Sequence, residues 1–501
     1  MSVKYENILS VVVFICALIF IFNSGLHSLE EPLERDLTTY GYIGHALLSG
    51  EHLYSELWDH KPPGIHIAYA VSELIWGYGQ ISITFMWIVV TILSSFLIYL
   101  ILRKISGWPA ALLGISFWVL SSNSVHLQAN QPNTEIFLNF FTLFAIWALV
   151  QSAKPQGQYL HIAGWAMGLS TMFKPITIFL IVPMLLYLIL VARRSPEGKN
   201  IKEYLRTSIT FLYSIPVLWF SMLGYALLSG QFQAYWDILF IYNGQYSGNS
   251  LLNIWAFFSN PSFLFSQSLY GVWALVLMSY VWIFIGSQAK RISVPHIFFI
   301  SIIVGILFEI GSIGRNFSHY FQVLLPIIAI NAALLVVFIF EEWRVGKMQR
   351  WLLAGALTLL ALGTLIDHQV AFFRLSPIQV SHEKYRKQFI DAWEMGLEIK
   401  AMTNPDELIY YWGSESGVYY YSQRQSASGI FYNLPLRERK NKSAAAMMTR
   451  LLSDLEKNPP AVFIWNTKDG KLEKNRLADF VAGGYYLLGN RSYFNIYVKN
   501  I

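Results

Sequence analysis

Apolar and polar positions in this chain do not alternate with the short periods of a soluble fold; they fall into long uncharged runs separated by brief polar ones. Runs near 7–23, 83–102, 108–120, 134–151, 159–172 and 176–192 are long enough to cross, or nearly cross, the ~30 Å of a hydrocarbon layer. Five more follow at 206–229, 264–286, 294–312, 319–340 and 351–367. The pattern predicts about eleven membrane-spanning helices, with thirteen as the upper bound. The run 65–78 is shorter and carries Glu73, so it reads as an interfacial or re-entrant helix. From about residue 380 charges become dense and apolar runs shrink to strand length. Tyr385–Ala401, Ala444–Glu456 and Leu472–Val481 read as helices; Glu407–Trp412, Ala461–Trp465, Tyr485–Leu488 and Tyr493–Val498 read as strands. That alternation predicts a small α/β domain with a largely parallel sheet. The expected division is an α-helical polytopic membrane domain over 1–370, including a first outer loop 24–82 with interfacial helices, and a soluble α/β domain over 380–501.

Composition agrees with the pattern. Hydrophobic residues make up 55% of the 501 and charged residues only 13%, against roughly 25% charged in a soluble domain. Such a chain does not carry enough polar surface to stay in water. The net charge of +6 is spread over many segments and forms no basic stripe, so nucleic acid is excluded as a partner. The single cysteine, Cys16, rules out an intrachain disulfide and a cysteine-based metal site. The first apolar run follows Lys4, lacks a small-x-small cleavage site and is followed by many further spans. It is therefore expected to stay as a helix.

Charge asymmetry sets an orientation. With the N-terminus in the cytoplasm, the inside segments hold Lys4, Arg103, Lys104, Lys154, Arg193, Arg194, Lys199, Lys202, Arg206, Lys290, Arg291, Arg344, Lys347 and Arg350. The short outside segments hold Arg35, Lys61, Lys174 and Arg315. This is the positive-inside bias, and an odd number of spans then puts the C-terminal domain outside, in the periplasm of a cell with an inner membrane. Counting 65–78 as a full span would reverse Arg103 and Lys104 and break the bias.

The outside segments are also where the chemistry gathers. Trp58-Asp59-His60-Lys61-Pro62-Pro63-Gly64 ends the first outer loop, and the paired prolines hold the residues before them extended. Glu135 follows Asn133-Thr134 at the entry of one span, Lys174-Pro175 makes a turn between two others, and Arg315, His319 and Tyr320 open a further one. Each alone reads as a snorkelling or capping side chain. Together they place carboxylates, imidazoles and cations at one membrane level, where ionisable groups point to a functional site. Lys and Arg there suit a phosphate, and adjacent apolar helices suit a lipid tail. Asp36 or Glu135 would supply the anion that a transfer reaction needs, as general base or as metal ligand. Nucleotides are not expected on that side of the membrane.

At these residues the sequence resembles the GT-C glycosyltransferases, in particular the polytopic bacterial branch with aminoarabinose transferases and protein O-mannosyltransferases of the family-39 type. The resemblance is carried by Arg35-Asp36-Leu37-Thr38-Thr39-Tyr40, Ala46-Leu47-Leu48-Ser49-Gly50, Tyr54 and Trp58-Asp59-His60-Lys61-Pro62-Pro63. It continues through Asn133-Thr134-Glu135, Phe173-Lys174-Pro175 and His319-Tyr320 with Pro326, so it spans most of residues 1–340. The resemblance implies a polyprenyl-phosphate sugar donor, an acceptor hydroxyl outside the cytoplasm and inversion at the anomeric carbon. It implies Asp36 as catalytic base, and Lys61, Lys174, Arg315 and His319 as donor-phosphate ligands. Asp59 and Tyr320 would contact substrate, and Glu135 with His60 would stand where some members bind a divalent metal. Two positions depart from the family: Leu37 follows Asp36 where a second acid is common, and His60 replaces a glutamate before Lys-Pro-Pro.

Two other classes remain open on the residues alone. A transporter or flippase of lipid-linked substrates would carry polar groups near the bilayer midplane, whereas charges here are scarce within the runs. A non-catalytic membrane scaffold would tolerate replacement of Asp36 and Lys61.

Overall fold

A computed structural model describes residues 3–151, 157–193, 201–260, 269, 271–288, 294–341, 343, 346–437, 442–469 and 476–500. Lys154, Arg194, Lys199, Lys290, Arg291 and Arg344 lie outside the described residues. The chain forms two compact units: Met1–Leu29, Ile83–Gly224 and Asn249–Ser376 make the first, and Glu30–Ser82, Tyr225–Gly248 and Pro377–Ile501 make the second. Residues 30–82 of the first outer loop cluster with the C-terminal residues in the second unit.

Each of the eleven expected runs is mainly helical where it is described, although some are broken or begin as 3-10 stretches. Among the described residues, eight are long and apolar enough to cross a membrane: Tyr5–His27, Gln80–Ile105, Thr134–Gln151, Pro175–Ala192, Leu205–Leu228, Val294–Ser312, Ser318–Glu341 and Lys347–Arg374. Trp108–Ser121, Gln158–Phe173 and Trp273–Gln288 are shorter; of the run expected at 264–286, residues 264–268 and 270 are outside the described residues. Prolines shape three spans. Pro216 cannot continue the ladder begun by Ile201–Leu212, and the chain restarts as Ser214–Leu228. Pro175 and Pro326 flank 3-10 stretches, Pro175–Leu180 and Ser318–Leu324, which tighten into the helices Ile181–Ala192 and Leu325–Glu341. Pro63–Trp76, 14 residues long, is too short to cross a bilayer. Its residues Ile67, Val71, Leu74 and Ile75 form an exposed apolar face at helical spacing.

The C-terminal part of the second unit holds a four-stranded sheet of β1 (Ile409–Trp412), β2 (Val462–Asn466), β3 (Tyr485–Arg491) and β4 (Phe494–Lys499) in the order β1-β2-β4-β3. β1 and β2 run parallel, but β4 pairs antiparallel with both β2 and β3. The expectation of a largely parallel sheet is therefore corrected. Two residues join β3 to β4, one of them Ser492 at φ 53°, and so short a link permits only a hairpin. Tyr410, Trp412, Phe463 and Trp465 from the first two strands pack with Leu451, Leu455, Leu477 and Val481 into a core. The last four lie on the helices Ala444–Lys457 and Arg476–Gly484; residues 472–475 of the second expected helix are outside the described residues.

The helix expected over Tyr385–Ala401 is two helices, Pro377–Tyr385 and Gln388–Met402, broken where Arg386 takes φ 60°. The break is accompanied by a buried ion pair between Lys384 and Glu31, whose side chains are 1% and 0% exposed.

Candidate functional site

The second unit gathers four of the predicted residues. Asp36 stands in the first turn of the Arg35–Leu48 helix, where the positive end of the helix dipole favours a carboxylate. Its oxygens lie 3.6 Å from Arg35 Nε and 3.8 Å from Lys61 Nζ. Its side chain is 22% exposed, open enough to meet a substrate. The helix start is pinned by the C-terminal part of the same unit: Ser416 Oγ donates to the Arg35 carbonyl at 2.9 Å and lies 2.8 Å from the hydroxyls of Thr38 and Thr39.

Lys61 comes from the segment that the prolines hold extended. Pro62 has φ −61° and ψ 160°, and Pro63 opens the next helix. The Lys61 carbonyl accepts from Tyr54 at 2.6 Å, the His60 carbonyl from Asn243 at 2.8 Å, and Trp58 N–H donates to the Gly429 carbonyl at 2.9 Å. One nearby and two distant contacts thus fix one short segment, so the ammonium of Lys61 is held beside Asp36 at little further entropic cost.

Beneath this pair lies Asp59, 3% exposed. His60 Nδ1 lies 3.4 Å from one of its oxygens and His66 Nε2 3.1 Å from the other, while Tyr432 donates to it at 3.1 Å. Burial would raise the Asp59 carboxyl, but hydrogen bonds from His60 and His66 overcome it and hold the group well below the usual carboxylate range. His60 Nε2 in turn lies 3.2 Å from Lys61 Nζ. Burial and that neighbouring ammonium push the His60 imidazole down, against the pull of Asp59. Asp59 is thereby linked through His60 to Lys61. Glu34, just before the helix, is also buried. Burial first and the Asp36 charge second push its carboxyl up to about 8, against the opposing pull of Arg35, Lys384 and Lys61.

The first unit holds the other predicted residues. Glu135 opens the Thr134–Gln151 helix, and its carboxylate forms an ion pair with the Lys174 ammonium and accepts from the Thr134 hydroxyl at 2.9 Å. Lys174 sits at an extended break, φ −147° and ψ 121°, because Pro175 disfavours a helical residue before it. Its ammonium lies 4.3 Å from the centre of the Tyr320 ring, a cation–π contact. His319 Nδ1 lies 3.2 Å from Gln128 Oε1, and Gln322 donates to the carbonyls of Leu127 and Gln128 at 2.9 and 3.1 Å. Arg315 lies in the turn before this stretch, half-buried.

The metal ligands implied by the resemblance, Glu135 and His60, do not fit a divalent ion as they stand. Glu135 is already neutralised by an ammonium, and His60 faces another. Among the described residues, no three His, Cys, Asp or Glu side chains are grouped to hold a metal.

His66, Tyr432, Ser416 and Glu34 were not singled out from the sequence. His66 sits in the first turn after the proline pair, a position that spacing alone shows to be close to Asp59. Tyr432 and Ser416 are 373 and 378 residues from their partners Asp59 and Thr38, and no local pattern signals them.

With this geometry, comparison with known proteins is decisive for the fold. Structures of ArnT from Cupriavidus metallidurans bound to undecaprenyl phosphate superpose with a TM-score of 0.64 at 12% identity, over 97% of this chain and 97% of that one. The chain shares its fold with that protein. The archaeal oligosaccharyltransferase AglB from Archaeoglobus fulgidus, in complex with an inhibitory peptide and a dolichol-phosphate, matches at 0.54 and 14% identity, over 99% of this chain and 75% of that one. The arabinofuranosyltransferase AftD from Mycobacteria matches at 0.51 and 10% identity, over all of this chain and 40% of that one. Residues 60–220 match the family model of dolichyl-phosphate-mannose-protein mannosyltransferases. No curated protein sequence matches the chain.

Proposed function

We propose that this GT-C chain is a membrane glycosyltransferase that moves a sugar from a polyprenyl-phosphate donor to a hydroxyl of an acceptor outside the cytoplasm, with inversion. The observation that carries this reading is the carboxylate–ammonium pair of Asp36 and Lys61, 3.8 Å apart in a chain whose fold is shared with proteins bound to undecaprenyl phosphate and dolichol-phosphate. Asp36 takes the proton from the acceptor hydroxyl as its oxygen attacks the anomeric carbon. The bond from that carbon to the phosphate oxygen breaks, and polyprenyl phosphate leaves with the electron pair. Lys61 binds the phosphate and stabilises the charge that grows on it as the bond breaks.

Asp59, His60 and His66 keep Lys61 in place, and Tyr432 and Ser416 tie the C-terminal domain to that task. The resemblance also implies Lys174, Arg315 and His319 as donor-phosphate ligands and Tyr320 as a substrate contact; these residues belong to the first unit. The bias of basic residues supports a cytoplasmic N-terminus and a C-terminal domain on the outer face of the inner membrane.

The test is transfer from a radiolabelled polyprenyl-phosphate sugar in proteoliposomes. Asp36→Asn is expected to lose at least a hundredfold in rate while folding normally. Unchanged transfer by that variant removes Asp36 from its role. A flippase would instead move the intact labelled lipid between leaflets with no release of polyprenyl phosphate.

A further inference from the structure

The second unit contains a cavity of about 430 Å³ at the opposite end of the helix that carries Asp36. Asp36 is in the first turn of Arg35–Leu48, whereas His45, Ala46 and Ser49 line the cavity at its end. Ten residues at a rise of about 1.5 Å put the two places about 15 Å apart along the axis. The volume lies in the range of small-molecule sites, roughly 300–1,000 Å³.

The lining has a definite chemistry. The half-buried Tyr78 and the exposed His45, their rings 4.5 Å apart, supply the accessible aromatic surface, and Tyr42 and Tyr419, 5.5 Å apart, are buried behind it. The rim carries hydroxyl, amide and carboxyl groups from Ser49, Glu51, Gln423 and Gln425. Gln425 and Gln423 are exposed, and each is already oriented, Gln425 by donating to Glu51 at 2.5 Å and Gln423 by accepting from Lys400 at 2.6 Å.

The cationic groups at this cavity already have partners, the Lys400 ammonium in the Gln423 amide oxygen. Arg424 lines the cavity, but all five of its N–H groups are spent on Thr403 Oγ1 and the carbonyls of Ser422, Gln423, Lys400 and Thr403. His45 faces Glu73 at 2.6 Å. The cavity also lies at the carboxyl end of a helix, whose partial negative charge repels anions. Flat rings for apolar C–H faces, paired with amides and a carboxylate for hydroxyls, match a neutral carbohydrate.

We propose that this cavity binds a neutral saccharide unit of the acceptor, so that the acceptor is a glycan or a glycan-bearing molecule held at a second point about 15 Å from Asp36. The proposal rests on the transferase reading for its role. The binding itself does not depend on that reading.

The experiment uses the full chain in lipid nanodiscs and saturation-transfer NMR with maltotetraose, cellotetraose and tetra-N-acetylchitotetraose. At least one is expected to bind. Q423A/Q425A, altered only at exposed side chains, is expected to weaken it at least tenfold, and Tyr78→Ala likewise, with Tyr78→Phe retaining most of the affinity because the ring remains. Lys61→Ala is expected to bind the saccharide as the parent chain does. Hydrolysis of the labelled donor by water, measured in parallel, is expected to fall in Lys61→Ala and to be unchanged in Q423A/Q425A. Absence of saccharide binding, equal binding by Q423A/Q425A, or preferential binding of glycerophosphocholine or of a serine-rich peptide overturns the cavity proposal while leaving donor hydrolysis to judge the transferase reading. Saccharide binding with no donor turnover supports the cavity and counts against the transferase.

Discussion

Replacing Lys174 by methionine keeps the length of the side chain and removes its charge, leaving the Glu135 carboxylate, 1% exposed, without its ammonium. Removing one partner of a buried pair costs about 3–5 kcal/mol, because the remaining charge stays desolvated. Loss of the cation–π contact to Tyr320 adds about 0.5–2 kcal/mol, while the Thr134 hydroxyl continues to donate to Glu135 and softens the penalty. A loss of about 4 kcal/mol is therefore expected for Lys174→Met. Glu135→Gln should cost less, since the ammonium keeps its place over the Tyr320 ring. The double variant, with neither charge, should recover most of the loss, giving a coupling of about 2–4 kcal/mol between the sites. Reversible unfolding in mixed micelles, followed by tryptophan fluorescence, measures all three. A loss below about 1 kcal/mol for Lys174→Met, the range of an exposed pair, would refute the reasoning, as would additive effects in the double variant.

Three further outcomes follow from the second unit. Glu34, raised by burial from 4.5 to about 8, gives stability that is full below pH 4.5 and is lost as pH rises through about 8. Glu34→Gln should abolish that decline in a pH series of unfolding midpoints, by several kcal/mol at most, and a parent chain with a flat profile would contradict it. Tyr432→Phe removes a hydrogen bond to the ionised Asp59 and should cost about 1.5–3 kcal/mol, read in the same unfolding assay, with a fall in transfer rate as Lys61 loosens. Gly429→Ala would put a Cβ 1.6 Å from the Glu56 carbonyl oxygen. The loop must move, costing about 1–3 kcal/mol or more and lowering transfer, whereas parent-like transfer and stability would show that the contact is dispensable.

Much of the helical part was legible because apolar length alone marks a span. The helix Val294–Ser312 coincides with its run, and Thr134–Gln151 does as well. The sheet was misjudged because alternating helix and strand patterns suggest parallel crossovers, while the short gap between Leu488 and Tyr493 already called for a hairpin. The helix break at Arg386 was hidden, since it coincides with burial of Lys384 against Glu31, a contact distant in sequence. In the site, Asp36, Asp59, His60 and Lys61 were readable from the proline pair and the order of polar residues. Their supports were not. His66 and Tyr432 hold Asp59, and Ser416 holds the helix start, through contacts that only the folded chain brings about. Glu135 and Lys174 were each visible, but their mutual neutralisation was not.

The most direct measurement of the central claim is the affinity of the full chain in nanodiscs for undecaprenyl phosphate, compared with Lys61→Ala. A charge-assisted contact to the phosphate is worth about 1.5–3 kcal/mol, so Kd should rise by about ten- to a hundredfold in the variant, while undecaprenol, lacking the phosphate, should bind both chains equally. Equal affinity of the two chains for undecaprenyl phosphate would contradict the account.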